Sequence, residues 1–366
     1  MKLILSVMAF LTIGFGYSQK SETKTVKETN KPLNVILLIG DGMGLSQMSS
    51  VFYFKKDSIN LPNFEHVGLL KTSSSSHLIT DSAAGATAYA CGVKTYNGAI
   101  GVLQDTTAVE NMTEVLSKMG YKNGLVATSS ITHATPASFF AHVSSRKFDE
   151  AIAAQLPTSN IDFFAAGGLK FFNKRKDGAD YVAALEKKGF EMDTVQLGDK
   201  KLKKNRKYGY LLAEDGMPTM TEGRGDFLQD GTERALSYLS QTTGGFFLMV
   251  EGSQIDWGGH SNNAEYLIEE MNDFDNVIGA VLDFAKKDGN TLVLMTADHE
   301  TGGFTLSSND GDYNSVTPTF STGGHSGTMV PVLAYGKGAE NFGGIYENNE
   351  LYHKILNLIQ QDRIVE

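Results

Sequence analysis

The chain has 366 residues, 41% hydrophobic and 20% charged, the composition of a soluble globular protein long enough for a sizeable core. A net charge of −10 argues against nucleic-acid binding, which needs Lys and Arg facing phosphates. Cys91 is the only cysteine, so no intramolecular disulfide forms, and stability rests on the core and on any bound metal.

Lys2 precedes an apolar stretch from Leu3 to Gly16, and Gly16-Tyr17-Ser18 places small residues at the ends of a cleavage signature. This predicts a signal peptide over 1–18 and export to the periplasm or medium. The stretch falls short of the ~20 apolar residues of a spanning helix. An uncleaved anchor is the alternative, and no cysteine near the cut offers a lipid acceptor. After cleavage no membrane association is expected. Residues 19–33 are polar and rich in Lys, Glu and Thr, and predict a linker.

From Asn34 onward, strand-like apolar runs alternate with helical patterns, the βαβ signature. Four of these runs end in polar clusters. Val35–Ile39 leads into Asp41, and Leu125–Ala127 leads into His133 and Thr135. Phe246–Val250 leads into Glu251, Asp256 and His260, and Leu292–Met295 leads into Asp298 and His299. Short buried-type runs of this kind predict parallel strands, whose carboxyl ends carry the ligand site. The apolar spacing over Asn263–Lys286 predicts a long helix, and a last helix is expected over 348–360. The segment 167–226 is more polar and less periodic, and reads as an insertion on the main sheet. The basic run Lys200–Lys207 predicts a solvated loop.

Asp256 and His260 are four apart, which puts both on one face of a helical turn. Asp298 and His299 are adjacent at a strand end, and His325 lies in a glycine-rich, flexible-looking loop. Imidazole with carboxylate suits zinc. Asp41, Glu251 and Thr135, with His133, form a more oxygen-rich group suited to a hard ion such as magnesium. Asp81-Ser82 opens a run of small residues that reads as a helix N-terminus. Either Asp81 or Ser82 simply caps the helix, or Ser82 is a nucleophile for a phosphate docked on the helix end. Arg146 is either a bidentate phosphate partner or a surface ion-pair member.

Taken in order, Asp41-Gly-Met-Gly, Thr80-Asp-Ser-Ala-Ala, His133-Ala-Thr-Pro, Ser145-Arg-Lys, Glu251-Gly-Ser-Gln-Ile-Asp-Trp-Gly-Gly-His260, Thr296-Ala-Asp-His-Glu-Thr-Gly and Gly324-His-Ser resemble the metal-dependent alkaline phosphatases, most of all the small bacterial members. The resemblance spans the chain from about Asn34. It implies a three-layer α/β/α sandwich around a mostly parallel sheet, a single catalytic domain over 34–366, and hydrolysis of phosphate monoesters. Ser82 resembles the nucleophile that becomes phosphoserine, and Arg146 the phosphate clamp. Asp256, His260 and His325 resemble the ligands of one zinc, and Asp41, Asp298 and His299 those of a second. Thr135 and Glu251, with Asp41 bridging, resemble the magnesium site.

Some family members carry Asp where this chain has His133, and Lys or His where it has Trp257. A nitrogen donor moves the third site away from magnesium's oxygen preference. Trp257 reads either as packing or as a wall of the phosphate pocket. The short interval from His299 to His325 implies that no large cap is present. Homodimers are frequent among such relatives. The alternatives within the superfamily are a phosphodiesterase, a sulfatase or a phosphoglycerate mutase. Outside it stand a serine acyl hydrolase, although Ser82 is not in Gly-x-Ser-x-Gly, and a non-enzymatic periplasmic zinc- or phosphate-binding protein.

Overall fold

The four apolar runs form strands buried along all or nearly all of their length. Strands β1 (Asn34–Gly40), β2 (His66–Lys71), β3 (Lys122–Ser130), β4 (Phe163–Gly167), β5 (Phe190–Asp193), β6 (Lys207–Leu211), β7 (Phe246–Gly252) and β8 (Thr291–Thr296) come first. Two small ladders follow, made of β9 (Glu300–Thr301), β10 (Thr305–Asn309), β11 (Asp312–Thr319) and β12 (His325–Ser326). The chain then returns to the sheet with β13 (Val330–Gly336) and β14 (Gly344–Glu347). The computed structural model describes residues 31–364. The expected signal peptide and most of the expected linker lie outside the described residues.

The ten-stranded sheet runs β14-β2-β13-β8-β1-β7-β3-β4-β6-β5. Only β13 is antiparallel to its neighbours. β1, β7 and β8 have every residue buried, because helices cover both faces and leave no place for polar alternation. The helices Phe227–Leu239 and Ala264–Asp288 pack on one another and on strands of the sheet. The helices Ser82–Cys91, Met112–Lys118, Ala134–Ser138 and Glu350–Ile364 form a second group. The result is a three-layer α/β/α sandwich.

The long helix forms much as its spacing predicts. Leu267, Met271, Phe274, Val277, Ile278 and Val281 are buried on its inner face, each worth about 1.5–3 kcal/mol of burial. Asn263 caps it by accepting from Tyr266 N, and it runs two residues past Lys286 to stop at Gly289 in the left-handed region. The last helix, Glu350–Ile364, starts and ends later than expected. Among the described residues, no helix is long and apolar enough to cross a membrane.

Two expectations shift. The linker gives way to packed chain by Leu33, which is fully buried and whose carbonyl accepts from Tyr121 Oη at 2.9 Å. The basic run is not all solvated loop: Leu202 is buried, and Lys207 opens β6 with its Nζ donating to Ile161 O. Segment 167–226 supplies β5 and β6, which extend the sheet beyond β4. Its end is clasped to the long helix by Arg224, whose Nη2 lies 2.5 Å from Glu270 and 2.8 Å from Asp273, all three buried.

Candidate active site

The four strands that carry the polar clusters are consecutive in the sheet, β8-β1-β7-β3. Ile39 pairs with Glu251 on one side and Thr296 on the other, and Ala127 pairs with Glu251. The register therefore brings Asp41, Glu251, Asp298 and the His133–Thr135 turn to the same carboxyl edge. Side chains hundreds of residues apart in sequence meet because parallel neighbours end at one level.

Three groups of donors gather there. Asp41, Asp298 and His299 bring ligand atoms within 4.8 Å of one another, as do Asp41, His133 and Glu251, and as do Asp256, His299 and His325. His260 joins the last group, its Nε2 lying 3.3 Å from Asp256 Oδ1 and 3.1 Å from His325 Nε2. The short helix Gln254–His260 places Asp256 and His260 on one face. His325 is not in a free loop: it sits in β12, paired with β9, and its ring stacks on His299 at 3.5 Å between centroids. The closed ladder leaves that ring little choice of direction.

Backbone carbonyls orient the imidazoles. His260 Nδ1 faces Gly323 O and His325 Nδ1 faces Thr80 O, each at 2.8 Å. A proton on Nδ1 leaves Nε2 with its lone pair, the form that binds metal. His299 directs Nε2 toward Asp298 Oδ2 at 3.2 Å, Asp41 Oδ1 at 3.5 Å and Ser82 Oγ at 3.2 Å.

Ser82 is the first residue of the helix Ser82–Cys91. Asp81 caps that helix by accepting from Ala84 N at 3.1 Å. Tyr89 Oη donates to Ala297 O at 2.6 Å and ties the helix to the β8 end. Of the Asp81-Ser82 pair, Asp81 is the cap, and Ser82 Oγ faces the donor cluster. Arg146 donates to Asp81 Oδ2 at 3.2 Å, and its Nη2 lies 3.0 Å from His133 Nε2. It is no plain surface ion pair. Trp257 stands edge-on to the His133 ring, with centroids 6.0 Å apart.

Electrostatics and hydrogen bonding set this cluster apart. Both carboxylate oxygens of Asp41, Glu251 Oε1, Asp298 Oδ2, Thr135 Oγ1 and His133 Nδ1 are buried without a hydrogen-bond partner. Burial, reinforced by Asp298, Asp256 and Glu251, pushes the Asp41 carboxyl well above the usual range. Burial likewise pushes Asp298 up to about 6, with Asp256 adding to it. Glu251 is pushed up to about 7 by burial, against the hydroxyls of Ser253 and Ser129 that donate to it. Burial, and then Arg146, pushes His133 down to about 3. Unpaired buried acceptors of this number are costly unless cations meet them. Acceptor oxygens and neutral imidazoles in one pocket are the donor set of bound divalent metal, and the residues fit it. A separate groove of about 730 Å³, lined by Val195, Arg224, Asp230 and Arg234 among others, has no histidine in its walls.

Residues 32–322 match the family described as alkaline phosphatase. Over 98% of its length the chain is 34% identical to alkaline phosphatase 3 of Bacillus subtilis, covering 96% of that protein. The chain belongs to the alkaline phosphatase family. As a member it is a metal-dependent hydrolase of phosphate monoesters. Among solved structures, alkaline phosphatase from the Antarctic bacterium TAB5 superposes with a TM-score of 0.88 at 56% identity, over 90% of this chain and 98% of that one. A cold-active alkaline phosphatase from Shewanella gives 0.82 at 28% identity, over 89% and 100%.

Several supporting residues were not singled out from sequence. Ser129 and Ser253 donate to Glu251 Oε2 at 3.1 and 2.5 Å and aim its other oxygen inward. Asp81 orients Arg146 as well as capping the helix. Thr301 donates to Asp256 Oδ1 at 2.6 Å. The one available signal was position: Ser253 lies two residues beyond Glu251, and Thr301 two beyond His299.

Proposed function

We propose that the chain hydrolyses phosphate monoesters through a phosphoserine on Ser82, at a site of two zinc ions and one magnesium. The observation that carries this reading is Ser82 Oγ at a helix N-terminus, 3.2 Å from His299 Nε2 and beside buried acceptors that lack partners. Asp256, His260 and His325 would hold one zinc, and Asp41, Asp298 and His299 the other. Thr135 and Glu251, with Asp41 bridging and His133 beside them, would hold the third ion. When bound, the metals supply Lewis-acid charge to the attacking and leaving oxygens and lower the pKa of water.

The chain's own residues do the rest. Arg146, held by Asp81, offers two N–H groups to phosphate oxygens and fixes the phosphoryl group in line with Ser82. The N-terminus of the helix Ser82–Cys91 favours the dianion over a neutral group. Ser82 Oγ bonds to phosphorus as the ester bond to the alcohol breaks, and the alcohol leaves with a proton. Water then displaces Ser82 from phosphorus, releasing inorganic phosphate and restoring the hydroxyl. The transition state is loose, so position and charge carry most of the rate.

A histidine-to-aspartate variant of the TAB5 enzyme holds magnesium in its M3 site. The corresponding group here is read as Asp41, His133 and Glu251, and its occupant in the unmodified chain depends on the His133 nitrogen. Export is proposed from the N-terminal signal pattern. Metal analysis of the purified protein beside turnover of a monoester, a diester and a sulfate ester tests the assignment. Two zinc ions per chain and preference for the monoester are expected, and a metal-free active enzyme or a preferred diester or sulfate would overturn it.

A further inference from the structure

Thr301 stands where the metal-ligating groups cross. Its hydroxyl donates to Asp256 Oδ1 at 2.6 Å and lies 3.1 Å from His299 Nδ1. Its backbone N–H donates to Gly42 O at 3.0 Å, one residue from Asp41. In the β9–β12 ladder it is the register partner of His325. One residue thus touches, or is paired with, elements of both proposed zinc sites.

A hydroxyl has a single proton, so the direction of these bonds follows from chemistry. A carboxylate only accepts, and the short contact to Asp256 takes the Thr301 proton. The oxygen is then left to accept, and His299 Nδ1 must carry the hydrogen. A neutral imidazole with a proton on Nδ1 has a bare Nε2, the atom that faces Ser82, Asp41 and Asp298.

The side chain has no other place to go. A Cβ on Gly42 would lie 2.7 Å from Thr301 Oγ1, and one on Gly259 would lie 3.0 Å from its Cγ2. From behind, Gln47 Nε2 donates to Thr301 O at 2.8 Å and to Glu300 Oε1 at 2.6 Å. The backbone is pinned, with the hydroxyl against Gly42 and the methyl group against Gly259.

We infer that Thr301 is a positioning residue whose hydroxyl orients the Asp256 carboxylate and fixes the His299 tautomer, so that one proton couples the two zinc sites. The inference rests on the two-zinc reading above. It differs from a packing role because shape alone does not satisfy it.

The test is zinc retention by the holoenzyme in a competing chromophoric chelator, compared across Thr301→Val, Thr301→Ser and wild type. Thr301→Val keeps the shape and loses the hydroxyl. It is expected to release zinc about 10- to 100-fold faster, the range typical of lost outer-shell partners. Thr301→Ser keeps the hydroxyl and loses the methyl group, and should retain zinc within about twofold of wild type. Zinc release from Thr301→Val at the wild-type rate would overturn the inference, as would Ser behaving like Val. Should Val fail to fold by circular dichroism, Thr301→Ala replaces it, with the same expectation and the same contrary result. Wild-type protein that holds no zinc at all would overturn the metal reading first, and this inference with it.

Discussion

His260 Nε2 and His325 Nε2 lie 3.1 Å apart, while each ring turns its Nδ1 to a backbone carbonyl. With the protons on Nδ1, two lone pairs face each other beside the Asp256 carboxylate. Such a trio repels itself unless a cation lies among its members, and the carbonyls of Gly323 and Thr80 hold it in that arrangement. The backbone thus selects the metal-binding tautomer before any metal arrives.

The first prediction concerns Arg146. Its guanidinium is held by Asp81, so on the proposed role truncation removes a prepared clamp rather than a mobile side chain. Arg146→Ala should weaken binding of both monoester and inorganic phosphate by ~2–4 kcal/mol, with metal content unchanged. Phosphate inhibition constants for the two proteins measure this directly. Equal constants would return Arg146 to a structural ion pair.

His133 is neutral at any working pH, since burial and Arg146 push it down to about 3. Its Nε2 cannot accept from Arg146 while its other nitrogen binds a cation, because a neutral ring then needs its hydrogen on Nε2. His133→Asp removes that conflict and adds a negative oxygen donor. Magnesium should bind roughly tenfold more tightly or better. Product phosphate should be held differently, because the new carboxylate also attracts Arg146. Superimposable magnesium activation curves for metal-stripped wild type and variant would contradict this.

The buried carboxylates give the metal-free protein an unusual pH dependence. Asp41, Asp298 and Glu251 hold protons in the folded state above the ordinary carboxylate range, so their stabilising contribution is present at low pH and lost as pH rises through the folded values. His133 and His299 are depressed by burial and oppose this trend up to their ordinary value of 6.5. Above 6.5 the carboxylate contribution continues, led by Glu251 at about 7. Thermal melts of chelator-stripped protein should therefore fall from pH 6.5 to 8, and Glu251→Gln should flatten the fall. Zinc binding near pH 6.5 should release protons, measurable by calorimetry in buffers of different ionisation heat. A metal-free melting temperature that rises across this window would contradict the account.

The fold was legible where burial imposes a simple pattern. The runs at β1, β7 and β8 are apolar throughout because both faces are covered, and the long helix repeats at three- and four-residue steps. The edge was not legible, since β5 is only partly covered and both β5 and β6 are mixed in composition. Asp41, Glu251, Asp298 and His299 were legible because strand-end position is itself a sequence signal, whereas Ser82, Arg146 and His325 reach the same edge from a helix, a loop and a small ladder. What sequence could not supply was the lateral order β8-β1-β7-β3, which depends on crossovers rather than on any local pattern. Nor could it supply the orientation of the rings, which two carbonyls distant in sequence decide. The Arg146–His133 contact and the Thr301 hydroxyl were hidden for the same reason.

The proposed nucleophile is the centre of the account, and trapping its phosphorylated form tests it most directly. Metal-loaded protein mixed with a monoester and quenched in acid should carry one phosphoryl group on the peptide containing Ser82, found by mass mapping. Ser82→Ala should lack that group, keep its zinc, and lose turnover by at least about a hundredfold, with a residue from direct attack by water. An unmodified Ser82 during turnover, together with near-wild-type activity in Ser82→Ala, would contradict it.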